Sequence, residues 1–382
     1  MSVNRSPITV LDLRDSPWVD GPGRTILDCA ETMDTSRVRI VIGAFDGGSS
    51  SRGAYEEEAQ KRGLEVFRIR ERRSLDPRVP GQVIKLCRST GAEVVHAHDF
   101  RSNVFGYACA RRMGVAFVST AHGWIANSFK GRIQVALDKA IMRRADHVIS
   151  VSEETRSRLG RWAGPGRCTV IPNAVRVEGY QPRRGPGEFR ASFGIGDDEL
   201  LIANIGRLSP EKGQAAFLAA AREILRRHRN VRFVLFGLGP DQPDLEEFVA
   251  RNNLGPHVIF AGYRSDMDVI YNEVDLVVQS SSTEGMPNVV IEALLMEVPV
   301  IATDVGGTRE VLKHEMTGVL IEPGRHGALV DSIEKFLADR NKHVSMARNG
   351  RQDMLVRFNH ERRVERLAET YERVIAARER RR

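Results

Sequence analysis

Two acidic residues share one short stretch, Thr283-Glu284-Gly285-Met286-Pro287-Asn288-Val289-Val290-Ile291-Glu292, the first on a glycine-proline loop and the second inside the helix expected to follow. Pro287 suits the first turn of that helix and Asn288 can cap it. The preceding Leu276-Val277-Val278-Gln279 reads as a buried strand, so the loop falls at the carboxyl end of a parallel strand. Ligands bind there in doubly wound sheets, because the next helix presents free N–H groups and a dipole that favours an anion. A second stretch, Asn204-Ile205-Gly206-Arg207-Leu208-Ser209-Pro210-Glu211-Lys212-Gly213, sets Arg207 and Lys212 on a loop between a strand and a helix that begins near Lys212. Both cations and the helix amides can converge on phosphate oxygens, as a diphosphate clamp would. Taken alone, the segment reads rather as a strand-to-helix turn with two solvated cations, and its coupling to the Glu284 loop reverses that preference.

Glycines open two further strand ends, at Phe236-Gly237-Leu238-Gly239 and at Val305-Gly306-Gly307-Thr308-Arg309-Glu310, where they serve either ligand approach or tight strand-helix packing. Upstream, His96-Ala97-His98-Asp99 and Ala121-His122-Gly123-Trp124 end neighbouring strands, and alternation along an extended chain puts His96 and His98 on one face. A zinc site is set aside for want of a third ligand with a clear pattern. Asp266-Met267-Asp268 mimics a metal-binding D-x-D, but it opens a helix expected over 266–273, where acids answer the helix dipole.

The elements that must position these groups are legible as hydrophobic runs. Strands are expected at 8–13, 38–45, 65–69, 92–98, 115–120, 147–151 and 169–171, then at 200–205, 231–236, 257–261, 276–279, 299–303 and 318–321, with helical patterns between most of them. Such alternation predicts an α/β protein with parallel sheets. The breaker-rich, charged segment 180–187 marks a boundary, giving domains at 1–180 and 188–355, with a charged helical end over 344–377.

With 382 residues and 41% apolar composition, the chain can bury two large cores. Nothing resembles a signal peptide or a spanning segment, so a cytoplasmic location is expected. Cys29, Cys87, Cys109 and Cys168 are scattered without metal or disulfide spacing. The net charge of +7 points to an acidic partner, and arginine runs with few interleaved aromatics argue against single-stranded nucleic acid. The segment 129–144 can form a basic amphipathic helix, either a solvated face or a peripheral contact with anionic membrane.

Gly206-Arg207-Leu208 with Lys212-Gly213, Glu284-Gly285-x-Pro287 with Glu292-Ala293, Pro299-Val300 and Gly306-Gly307-x-x-Glu310 together resemble the retaining glycosyltransferases of family 4. The resemblance reaches back through His98 and Thr120-Ala121-His122-Gly123, and so spans nearly the whole chain. It implies the GT-B architecture: two facing Rossmann-like domains with an interdomain cleft, and a terminal helix from residue 356 that returns to the first domain. It also implies a nucleotide-diphosphate sugar as donor, no metal or other cofactor, and a hydroxyl acceptor such as a glycan or lipid-linked glycan. By the same resemblance, Arg207 and Lys212 bind the donor diphosphate, Glu292 the ribose hydroxyls and Glu284 a hydroxyl of the transferred sugar. Gly206, Gly237 and the backbone of Gly285, Met286, Pro287, Asn288 and Val289 border the donor, and His122 orients its sugar. A glycine pair after the first strand, common in the family, here reads Gly21-Pro22-Gly23, and Pro22 removes one N–H donor. Rival readings are a sugar-nucleotide epimerase or phosphorylase on the same scaffold, or a non-enzymatic polyanion-binding protein.

Overall fold

A computed structural model describes residues 6–47, 53–72, 75–124, 129–160, 166–183 and 187–380. Arg73, Arg184, Arg381 and Arg382 of the charge runs lie outside these residues, as do Gly185 and Pro186 of the breaker-rich segment. The chain divides into two compact units, one formed by 1–174 with 360–382 and the other by 175–359.

Among the described residues, the first unit holds seven parallel strands: β1 (Ile8–Arg14), β2 (Val38–Phe45), β3 (Val66–Ile69), β4 (Val94–Ala97), β5 (Ala116–Ala121), β6 (His147–Ser150) and β7 (Cys168–Val170), in the order β3-β2-β1-β4-β5-β6-β7. All of β1, Ile-Thr-Val-Leu-Asp-Leu-Arg, is buried, as a central strand covered on both faces must be. The second unit holds six: β8 (Leu200–Ile205), β9 (Val231–Phe236), β10 (Val258–Gly262), β11 (Leu276–Gln279), β12 (Val300–Thr303) and β13 (Val319–Ile321), ordered β10-β9-β8-β11-β12-β13. Both orders reverse direction once, between β1 and β4 and between β8 and β11. At such a reversal the loops leaving the two strands splay apart and open a crevice.

Each unit has its own core. In the second, Phe217, Ile224, Phe233, Leu235, Ile301 and Ile333 are fully buried, and each such side chain contributes about 1.5–3 kcal/mol through removal from water. In the first, one face of the sheet is covered by the helix His360–Glu379, whose Leu367, Tyr371, Val374 and Ile375 pack with Ile8, Val10, Val94 and Val118. Arg363 of that helix donates to the Ile171 carbonyl at 2.9 Å.

Several expectations need adjusting. The charged end is two helices, Arg340–Arg357 and His360–Glu379, and it divides at the same place as the two units. The boundary near the middle lies at Ala174/Val175, upstream of the breaker-rich segment. Asn288 is not a cap: Pro287, extended at φ −80° and ψ 101°, holds that position and Asn288 opens the helix Asn288–Leu295. The helix after Asp266 covers only Met267–Ile270, and Asp266 itself pairs with Arg264 at 2.6 Å.

Candidate active site

In the second unit, the loops leaving β8 and β11 carry the cations and the acid. Lys212 ends a short 3₁₀ turn, Pro210–Lys212, and its ammonium meets Glu284 Oε1 at 2.7 Å. Glu284 is also held by Ser281 Oγ at 2.7 Å and Gln279 Nε2 at 3.2 Å, so three donors fix one carboxylate oxygen. The Glu284 side chain is only 9% exposed, while Lys212 keeps 30% of its surface open. An ammonium has three N–H donors, so one bond to Glu284 leaves donor capacity for an arriving anion.

Arg207 is restrained within its own loop. Its guanidinium donates to Glu211 at 2.8 Å and its Nε to Ser209 Oγ at 3.3 Å, and 61% of the side chain is exposed. Burial works against the charge on Glu211. The hydrogen bond from Ser209 and the neighbouring Arg207 outweigh it and hold that carboxyl below the usual range. The two loops are stitched by backbone: Ser282 N–H donates to the Glu211 carbonyl at 2.8 Å, and Ser280 Oγ to the Gly213 carbonyl at 2.9 Å.

Gly206 and Gly237 supply space rather than donors. The Gly206 N–H is taken by the Phe236 carbonyl at 2.9 Å and the Gly237 N–H by Gly262 at 2.8 Å. A Cβ on Gly237, at φ +133°, would sit 2.0 Å from the Gly206 carbonyl oxygen. At φ +53°, Gly306 backs the acidic loop, where a Cβ would lie 1.7 Å from the Glu284 carbonyl oxygen. The neighbouring Gly307 N–H donates to the Gly285 carbonyl at 3.1 Å. Met286, Pro287, Asn288 and Val289 lead into the first turn of Asn288–Leu295, where helix amides and dipole favour negative charge. Glu292, one turn further on, is buried and accepts from Tyr271 Oη at 3.0 Å.

The first unit concentrates buried charge at its own strand-order reversal. Arg14 closes β1 with bonds to Asp99 at 2.7 and 2.9 Å and to Asp20 at 2.9 and 2.8 Å. Burial pushes the Asp99 carboxyl up to about 6 against the pull of Arg14. Asp20 caps the helix Gly21–Thr32 by accepting from Gly23 N–H at 2.8 Å, so that amide is committed within the fold and Pro22 sits in the first turn. Behind Arg14, His98 joins Asp12 Oδ2 through Nε2 at 2.9 Å and His122 Nε2 through Nδ1 at 3.2 Å. Asp12, His96 and His98 offer atoms within 4.8 Å of one another, which supplies the third acid-or-imidazole group that spacing did not show. Their ring nitrogens are nonetheless committed, those of His96 to Tyr371 Oη and Thr120 Oγ1 at 2.8 Å each.

Spacing therefore picked out Arg207, Lys212, Glu284, Glu292 and His122 but missed their supports Gln279, Ser281, Ser209, Tyr271 and Asp12. The one available signal was polarity out of place: Asp12 inside an apolar strand and Gln279 at the end of another.

Two doubly wound units, each with polar chemistry at its sheet reversal, define a protein of the GT-B class. A family model described as Glycosyl transferases group 1 matches residues 187–353, and one described as Glycosyltransferase Family 4 matches 19–178. The chain belongs to this family and is a glycosyltransferase. It is 26% identical over 298 residues to the UDP-Gal:alpha-D-GlcNAc-diphosphoundecaprenol alpha-1,3-galactosyltransferase of Escherichia coli, covering 75% of this chain and 77% of that one. It is 27% identical over 285 residues to the alpha-D-kanosaminyltransferase of Streptomyces kanamyceticus, covering 69% and 73%. Among solved structures, Anabaena HepE in complex with UDP and glucose matches 96% of this chain and 99% of its own with a TM-score of 0.84 at 22% identity, a likeness of fold.

Proposed function

We propose that the chain moves a sugar from a nucleoside-diphosphate sugar to a hydroxyl of a glycan or lipid-linked glycan, with retention at the anomeric carbon. The observation that carries this is the Lys212–Glu284 pair, a partly open cation held against a buried, triply bonded carboxylate at the sheet reversal. Transfer breaks the bond from the anomeric carbon to the phosphate oxygen and forms one to the acceptor oxygen, and the acceptor proton passes to the leaving diphosphate. Negative charge grows on that diphosphate. Lys212 and Arg207 meet it as fixed cations, aided by the first amides of Asn288–Leu295. Glu284 accepts from a hydroxyl of the transferred sugar, Glu292 from the ribose, and His122 orients the sugar. With two cations in this role the reading needs no divalent metal. The relative that acts on a diphosphoundecaprenol-linked sugar supports the lipid-linked acceptor and a place in surface-polysaccharide assembly.

The test is a panel of UDP-, GDP- and ADP-sugars. The true donor at 100 times its Kd stabilises the fold by about 2.7 kcal/mol, and turns over with an added acceptor, also after dialysis against EDTA. A panel with no thermal shift, or donor consumption independent of any acceptor, defeats the assignment.

A peripheral contact with anionic lipid is the second part of the proposal. On the helix Phe129–Met142, Phe129, Ile133 and Leu137 recur at every fourth position and are 78%, 46% and 51% exposed. Lys130, Arg132 and Arg143 are exposed as well, the pattern of an interfacial helix. Lys139 is not part of that face: it donates to the Arg158 carbonyl at 3.0 Å and lies over the Trp124 ring. Among the described residues no helix is long and apolar enough to cross a membrane. Vesicles with phosphatidylserine should sediment the protein, and Phe129→Asp with Ile133→Asp should abolish this; equal recovery on neutral vesicles removes the contact.

A further inference from the structure

The buried imidazoles of the first unit form a directional chain, and its direction follows from elementary donor and acceptor rules. An ionised carboxylate can only accept, so the 2.9 Å contact from His98 Nε2 to Asp12 requires the proton on Nε2. His98 is neutral because burial holds its pKa well below the usual imidazole value, with Arg14 and Arg363 adding to the effect. Its Nδ1 is then a bare lone pair. The 3.2 Å contact with His122 must accordingly be a bond donated by His122 Nε2–H. His122 is kept neutral in the same way, chiefly by burial and then by His98, which leaves its own Nδ1 unprotonated. Among the described residues, that Nδ1 is shut off from solvent and has no hydrogen-bond partner, although the residue as a whole is only half-buried.

We propose that Asp12 and His98 are positioning residues that lock His122 into the tautomer with a bare Nδ1, so that it accepts a hydrogen bond from a substrate hydroxyl and cannot donate one. The proposal rests on the reading of His122 as a sugar-contacting group, and assigns to it a required partner: a sugar with a free hydroxyl at the position His122 meets. It also names a switch. When the chain gains one proton, the His98 Nε2 proton passes to Asp12, which becomes the donor to His98 Nε2, the His122 Nε2 proton passes to His98 Nδ1, which donates back to His122, and the added proton resides on His122 Nδ1. The hydrogen-bond polarity reverses along the whole chain without any imidazolium forming.

Asp12 meets charge from every side. Arg14 lies on its own strand, His96 on β4, His98 just beyond β4, and Tyr371 on His360–Glu379, from which Arg363 acts on His96. Cys29 and Tyr55 face it from the helices Gly21–Thr32 and Ala54–Lys61. Burial dominates and raises its carboxyl to about 6, against the pull of His96 and Arg14. An acid limb near that value is therefore expected in the transfer rate.

The test uses the full chain labelled with ¹⁵N-histidine, with the His122 signals assigned by their loss in His122→Gln. At pH 8 the wild type should show a protonated Nε2 and an unprotonated Nδ1. Asp12→Asn, which can donate to His98 where the carboxylate cannot, should populate the opposite tautomer. It should lower kcat/KM roughly tenfold to a hundredfold through the lost acceptor, and erase the acid limb. A protonated Nδ1 in the wild type at pH 8 overturns the proposal and needs no variant to fold. So does an Asp12→Asn enzyme with unchanged tautomer and unchanged pH profile. Wild-type transfer by His122→Ala, beside the expected spectrum, would instead sink the reading that His122 touches the sugar and the functional consequence with it.

Discussion

At the scale of single residues, the two cations of the donor site differ in what holds them. Lys212 is tethered to a rigid acid, whereas Arg207 is exposed and restrained by Glu211 and Ser209 on its own loop. Removing one preorganised donor that faces developing charge costs about 10²–10³ in rate. Lys212→Ala and Arg207→Ala should each lower kcat by that order, as measured with saturating donor. Arg207→Lys should not restore it, because a point charge cannot reproduce the planar fork that engages two phosphate oxygens together. Lys212→Ala has a further consequence. It removes the cation from Glu284 but leaves Ser281 and Gln279 in place, so the carboxylate stays oriented and donor affinity should fall less than kcat. A loss of donor affinity with kcat unchanged would show that Lys212 acts only in ground-state binding.

At the scale of elements, the acidic loop owes its position to the glycine behind it. Gly306 is left-handed, and a Cβ there would collide with the Glu284 carbonyl, so Gly306→Ala must displace the loop that sets Glu284 against Lys212. A displacement near 1 Å at a catalytic group costs about 10²-fold in rate, and that loss is the expected outcome. Gly324→Ala is the control: its φ of +79° carries the same backbone penalty, but a Cβ meets nothing within 4 Å, so transfer should survive. Equal activity in the two variants would separate loop position from catalysis. Strands such as Leu200–Ile205 and Leu276–Gln279 were legible in the sequence because buried parallel strands are runs of branched apolar side chains. Their order was not. Hydrophobic period says nothing of which strand lies beside which, and only the adjacency of β8 and β11 explains why Lys212 meets an acid 72 positions away. Asp12 escaped notice for a related reason: one polar residue within a strand has no spacing to mark it, and its partners come from β4 and the terminal helix. No glycine or proline marks the division at Phe358-Asn359, so it was legible only through the family resemblance, which set a terminal helix from residue 356.

At the scale of the whole molecule, the titrating burden is unequal. His96, His98 and His122 are all held well below the usual imidazole value by burial, and His147 is lowered to about 4, all in the first unit. Unfolded, each ring binds a proton below its ordinary value of 6.5; folded, it does not, so stability falls as pH drops through that value. Asp12 and Asp99 act in the opposite sense. Their folded values of about 6 exceed the unfolded 3.8, so their contribution is fully present below 3.8 and is lost as pH rises through 6. Four rings outweigh two carboxyls, and the first unit should lose stability on acidification between pH 6.5 and 4. Trp18 and Trp124 lie in the first unit and residues 175–359 contain no tryptophan, so denaturation followed by tryptophan fluorescence reports this unit and not the other. Asp12→Asn isolates one carboxyl from the rest. Its neutral amide is spared the charged-state burial that the wild type suffers at pH 8 but not at pH 4, where Asp12 is already protonated. A shift of about two units corresponds to about 3 kcal/mol, so the stability of the variant relative to wild type should be more favourable at pH 8 than at pH 4 by that order. A difference of zero would mean that Asp12 titrates in the fold as it does in the unfolded chain.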